Sequence, residues 1–201
     1  MADREKNPVT EAKGSVIEEI RGVGDVAGAI VGATSDVFVH MLRGTSATGA
    51  EFRSLVADTI TGTIQAVAQT SGEVESAASS IMIGALRGAG QVGKAGVETV
   101  SVSASALVRG SAEVGSDVGR TARGAVEGAI KSARAVGMTA ELAASAAASG
   151  ALKGAGEVSL SALDQVRDVV TKTIEGVKVV ITEPFRSDLS SGAEPMRRPA
   201  R

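Results

Sequence analysis

The side chains of this chain that could carry out chemistry are few and do not converge. His40 is the only histidine and cysteine is absent, so no cluster of His or Cys metal ligands and no thiolate nucleophile can be assembled, and His40 is the one residue on which a catalytic triad could be built. His40 falls at the boundary between a polar and an apolar helix face, where a structural role suffices. Carboxylate pairs of the kind used in general acid–base catalysis occur at Glu73/Glu75 and Asp164/Asp168. Both lie on a polar stripe with no third group beside them and read as solvated helix surface. The glycine-rich stretch Gly84 to Gly93 is not followed by Gly-Lys-Ser/Thr and so lacks the lysine and hydroxyl of a phosphate loop. One basic column remains. Arg21, Arg43, Arg87, Arg109, Lys131 and Lys153 could face anionic lipid or phosphate, yet Asp25, Glu113 and Glu157 interleave with them, which favours a solvated face with weak side-chain pairing. The chain reads as non-enzymatic, with no catalytic, cofactor-binding or metal-ligating residue, no cofactor and no small-molecule substrate.

Composition narrows the classes further. In 201 residues the net charge is -2 and 22% of side chains are charged, too little polarity for a disordered chain and too little basicity for a nucleic-acid binder. The apolar residues are nearly all Ala, Val, Ile and Leu, with three Phe and neither Trp nor Tyr, so a conventional globular core is not expected. Met1 to Pro8 contains no apolar run of the secretory type, which makes cytoplasmic residence the default. The longest uncharged stretches, such as Thr59 to Gly72, fall short of the roughly 18 residues that a membrane-spanning helix needs.

The column of basic residues belongs to a 22-residue repeat that runs eight times without a gap, opening at Glu18, His40, Gly62, Gly84, Ala106, Gly128, Gly150 and Lys172. The third position is always aliphatic: Ile20, Leu42, Ile64, Leu86, Val108, Ile130, Leu152 and Ile174. The fifth is always small: Gly22, Gly44, Ala66, Gly88, Gly110, Ser132, Gly154 and Gly176. Such regularity specifies architecture. The organisation read from it is a flexible N-terminal tail (1–17), a helical repeat region (18–181) and a disordered C-terminal tail (182–201). No proline interrupts the chain between Pro8 and Pro184, as a helical region requires.

A period of 22 residues in six helical turns is about 3.67 per turn, the hendecad spacing. At that pitch the ninth-position valines Val92, Val114 and Val136 fall on an apolar stripe, while Arg109, Glu113, Arg120, Lys153, Glu157 and Asp164 fall opposite. With the third-position column added, the stripe is broader than a dimeric coiled-coil seam and calls for two neighbouring helices or one extended surface. All but Gly14 and Gly192 of the 25 glycines lie between Gly22 and Gly176. At about 0.8 to 1 kcal/mol each relative to Ala, they rule out a free-standing rod and require a compensating contact. Gly62/Ala66, Gly84/Gly88, Ala106/Gly110, Gly128/Ser132 and Gly150/Gly154 form small-xxx-small pairs that let helix backbones approach closely. The expected fold is all-α: long amphipathic helices, either a rod or folded back as an antiparallel hairpin or bundle. Fold-back has electrostatic support, because the acidic side chains concentrate in residues 18–86 and the basic ones in 87–134, and the glycine-dense stretch Gly84 to Gly96 is the natural bend. A β-solenoid of 22-residue coils is the alternative, although a single Asn leaves it without the usual side-chain ladders.

The segment Lys172-Thr173-Ile174-Glu175-Gly176-Val177 resembles the Lys-Thr-Lys-Glu-Gly-Val element of synucleins, with Ile174 where that family has Lys. The 11/22-residue phasing is similar to that of synucleins, exchangeable apolipoproteins and perilipins, and more loosely to phasins. The resemblance implies amphipathic helices laid on a lipid membrane or granule surface. Two readings follow. One is a peripheral, surface-associated protein that also self-packs through its small-residue face and forms a homo-oligomer. The other is a soluble structural assembly, scaffold or stress-protective protein with no lipid role.

Overall fold

The computed structural model describes residues 8–20, 25–43, 49–70, 74–172 and 174–181. The tenth position of the repeat decides their course. Gly93, Gly115 and Gly137 occupy it in successive copies, with φ of +67°, +71° and +73°, a left-handed conformation that glycine adopts without penalty. Each ends a helix in a Schellman motif. The N–H of Lys94 donates to the Ala89 carbonyl at 2.8 Å, that of Ser116 to Ser111 at 2.8 Å and that of Met138 to Ala133 at 2.9 Å. Two residues after Gly115 and Gly137 a side chain caps the next helix: Asp117 accepts from the Arg120 N–H at 2.9 Å and Thr139 from the Leu142 N–H at 3.2 Å. In the seventh copy Ser159 replaces the glycine. It is extended, closes one helix and caps the next by accepting from the Ala162 N–H at 3.0 Å.

Each of the first seven copies is thus broken once, and the 22-residue period is one helix plus one turn rather than six turns of uninterrupted helix. The helices are α1 (Pro8–Ile20), α2 (Val26–Leu42), α3 (Ala50–Thr70), α4 (Val74–Gln91), α5 (Val97–Glu113), α6 (Val118–Ala133), extended by a 3₁₀ turn at Arg134–Val136, α7 (Ala140–Val158) and α8 (Leu160–Val170). The all-α expectation holds, and the described residues contain no strand of a β-solenoid.

Every helix packs on the next and, from α1 to α5, more extensively on the next but one. The odd helices form one layer and the even helices the other. Within a layer the helices run parallel, since Gly150 and Gly154 of α7 meet Ser101 and Ser105 of α5 in the same order. Consecutive helices, joined by short turns, therefore run antiparallel. The result is a two-layered stack of helical hairpins, an α-solenoid in miniature. The chain does bend within Gly84 to Gly96, at Gly93, but it bends equivalently in the neighbouring copies. The acidic and basic halves do not fold onto each other as one long hairpin.

The core lies between the layers. Ile60, Ile64, Val67, Ile81, Met82, Leu86, Leu107 and Val108 are fully buried, and towards the C-terminus their place is taken by Ala143, Ala144, Ala147, Ala148 and Ala151. Alanine suits that end because α7 lies close against α5, the backbones of Gly150 and Gly154 meeting those of Ser101 and Ser105. Several buried hydroxyls bond back to the preceding turn, as Thr63 does to the Thr59 carbonyl at 2.9 Å and Ser111 to Val108 at 2.8 Å.

Both ends of the repeat region differ from the sequence-based boundaries. Residues 8–17, read as loose tail, belong to α1, where Pro8 takes the first helical position that suits proline and Ala12 and Val16 are fully buried. Residues 174–181, at the start of the eighth copy, are not helical. Ile174 and Val177 exchange backbone hydrogen bonds of 3.1 and 2.8 Å around Glu175 (φ 48°) and Gly176 (φ 77°), a tight turn of the I′ kind. Ile174 and Val179 are buried, and Ser145 of α7 donates its hydroxyl to the Val180 carbonyl. This segment caps the open side of α7 where a further helix would otherwise stack. Residues 1–7 and 182–201 lie outside the described residues.

Candidate functional site

The fifth-position column is distributed along the contacts between helices two apart. A Cβ placed on Gly88 would come within 2.6 Å of the Ser35 carbonyl and of Phe38 Cβ, and one on Gly154 within 2.5 Å of the Ser105 carbonyl. Gly110 is pressed against Ile64 Cγ2, and Ala66 and Ser132 are buried. The first-position partners behave alike: Gly62 faces Val9, Gly84 faces Val31 and Thr34, and Gly128 faces Ser79 and Met82. Gly176 instead sits in the terminal turn with open space around it, and Gly22 and Gly44 lie outside the described residues.

The apolar column faces inward. Ile64, Leu86 and Val108 are fully buried, as nearly are Leu42 and Ile174, whereas Ile130 and Leu152 are half-buried. Val92, Val114 and Val136 are half-buried at the helix ends, beside the turns rather than along a continuous outer stripe. Ile20 ends α1.

The basic column divides between the two layers, a division that the linear order of residues conceals. Arg109 of α5 pairs with Glu157 of α7 at 3.0 Å, so the eighth-position acid of one copy neutralises the fourth-position base two copies earlier. Asp25, Glu113 and Glu157 all belong to odd-numbered copies. In the even copies the eighth position holds Ala47, Gln91, Ala135 and Val179. Arg43, which follows α2, Arg87, a turn before the end of α4, and Lys131, in the last turn of α6, consequently face no eighth-position acid. Among the described residues Arg87 makes no ion pair. Lys131 has one counter-charge, Glu175 at 3.6 Å, with both side chains about half-exposed.

Between the ends of α4 and α6 lies a cleft of about 650 Å³. Arg87 and Gln91 line it from α4, Lys131 and Ser132 from α6, and Ile83 and Val136 supply apolar wall. No carboxylate contributes to its lining. Gln91 donates to the Ser35 hydroxyl at 3.3 Å, and the Ser132 Oγ is buried without a hydrogen-bond partner, an arrangement that ordinarily calls for an explanation. The other groups singled out in the sequence do not converge: Asp164 and Asp168 are exposed on α8, paired with Arg167 and Lys172 of the same helix end. Among the described residues no three of His, Asp and Glu group as metal ligands, and no helix is long and apolar enough to cross a membrane.

Compared with protein-family models, curated proteins and solved structures, the chain matches none.

Proposed function

We propose that this chain is a non-enzymatic helical-repeat scaffold whose small-residue faces pack helix against helix within the chain. The observation that carries this reading is the fate of the apolar column: Ile64, Leu86 and Val108 are fully buried between the layers. Those side chains would have to be freed before the same stripe could enter a lipid interface. Each buried aliphatic side chain is worth roughly 1.5–3 kcal/mol, and the helices in a layer are held together cooperatively. Association with a membrane or granule surface, the reading drawn from the synuclein-like phasing, then belongs to an opened form of the chain. Self-packing, expected either within or between chains, is assigned to the interior of one chain.

Flotation with neutral and anionic vesicles and with hydrophobic granules tests the choice, with sedimentation of the free protein alongside. The scaffold reading expects a compact monomer that reaches a neutral or granule surface only under conditions that also expose its core to a hydrophobic dye. Flotation on neutral vesicles with the core still protected would return the reading to a surface coat.

A further inference from the structure

We propose that the cleft between the C-terminal ends of α4 and α6 binds a phosphoryl anion, held by Arg87 and Lys131. The inference does not depend on the scaffold reading. It starts from the unequal treatment of equivalent positions. On the odd layer Arg109 is matched by Glu157 at 3.0 Å. On the even layer two such bases, Arg87 a turn before the end of α4 and Lys131 in the last turn of α6, line one cavity and meet no lining carboxylate. Two cations on the wall of one partly apolar cleft leave it with positive charge that an anion would balance.

The remaining lining fits the same ligand class. Arg offers a planar fork and Lys a point charge, the two usual donors to phosphate oxygens. The Ser132 hydroxyl, buried without a partner, can donate to a further oxygen once its rotamer turns towards the cleft, and Gln91 adds an amide. Ile83, Ala135 and Val136 leave room and apolar surface for whatever the phosphoryl group is attached to. Helix C-termini oppose an anion through their carbonyl dipoles. Here the N–H groups of Gly93 and Lys94 cap α4, and those of Gly137 and Met138 cap the end of α6, which blunts that opposition.

Glu175 completes the arrangement. Its carboxylate stands 3.6 Å from Lys131, and it is the only non-glycine residue with positive φ among the described residues. The terminal turn therefore holds an acid beside the cleft in a backbone conformation that glutamate disfavours. It competes with the ligand for Lys131.

Isothermal titration with inorganic phosphate and glycerol 3-phosphate, and flotation with vesicles containing phosphatidic acid or only phosphatidylcholine, test the site at low ionic strength. Arg87→Gln and Lys131→Gln are each expected to weaken binding about tenfold or more, as befits a lost charge-assisted bond. Arg109→Gln, on the neutralised edge, should leave binding unchanged, and Glu175→Gln should tighten it severalfold. Binding of the soluble phosphates assigns the site to a free phosphorylated ligand, and binding confined to phosphatidic acid vesicles assigns it to a lipid headgroup. Failure of all the anionic probes to bind overturns the proposal. So does undiminished binding by the Arg87→Gln/Lys131→Gln double variant, once its circular dichroism shows the native helix content.

Discussion

The backbone of Gly150 in α7 lies so close to the Ser101 carbonyl in α5 that a Cβ at position 150 would overlap it. The same carbonyl contact, at the same spacing of 49 residues, joins Gly154 to Ser105 and Gly128 to Ser79, whereas Gly62, Gly84 and Gly88 meet the carbonyls of Val9, Val31 and Ser35 at a spacing of 53. A glycine set against the backbone carbonyl of a helix two along thus recurs in both layers, in a register that shifts by one helical turn between the N-terminal and C-terminal halves.

Opposite signs are therefore expected for two glycine-to-alanine changes in the same helix. Gly150→Ala gains about 1 kcal/mol of helix propensity but meets backbone that has little freedom to move, and should destabilise by about 1–3 kcal/mol net. Gly156→Ala is helical and exposed with nothing within 4 Å, so it should stabilise by about 0.5–1 kcal/mol. Urea denaturation of both variants checks the pair. If both stabilise, close approach is not what glycine serves in α7.

The turn glycines act through conformation instead. Gly115 has φ +71° and open space around the site of a Cβ, so Gly115→Ala should cost about 1–2 kcal/mol without any steric clash. Gly115→Asn should cost less, since Asn tolerates the left-handed region. Equal losses for the two substitutions, measured by thermal denaturation, would point away from φ as the cause.

Two buried serines on α5 differ in whether their hydroxyls are satisfied. Ser111 Oγ donates to the Val108 carbonyl at 2.8 Å, and Ser111→Ala should lose about 0.5–1.5 kcal/mol. Ser103 Oγ is equally buried but has no partner. Ser103→Ala removes an unmet desolvation penalty and should raise the melting temperature. A lower melting temperature for Ser103→Ala would mean that this hydroxyl is bonded after all.

The terminal segment should behave as a cap. Val179 is buried and its neighbour Val180 is largely exposed. Val179→Asp places a charge against α7 and should destabilise by several kcal/mol, with faster amide exchange in α7 and α8, whereas Val180→Asp should be within about 0.5 kcal/mol of the parent. Indistinguishable effects of the two would remove the capping role of residues 174–181.

Helix, repeat and the small and apolar columns were legible along the chain because they are local properties. Residues such as Leu86 and Gly88 fall on a face by helical periodicity alone, and the absence of proline permits the helix throughout. The tenth-position glycines were equally visible, every 22 residues and two residues ahead of the capping side chains Asp117 and Thr139. Their meaning was not, because glycine is tolerated inside a helix and a period of 22 satisfies a continuous hendecad helix as well as a helix plus a turn. Packing chose between them. Breaking each copy lets the apolar columns of two layers bury one another and seats the glycines on parallel neighbours, which no single long helix can do for itself. The charged edges follow from the same choice. Arg87 and Arg109 occupy the same position of adjacent copies, but reversal at Gly93 sends them to opposite layers, one towards the cleft shared with Lys131 and the other towards Glu157. A local repeat of 22 residues thus becomes a spatial repeat of two copies, and only chain reversal in three dimensions separates the paired Arg109 from the cleft of Arg87 and Lys131.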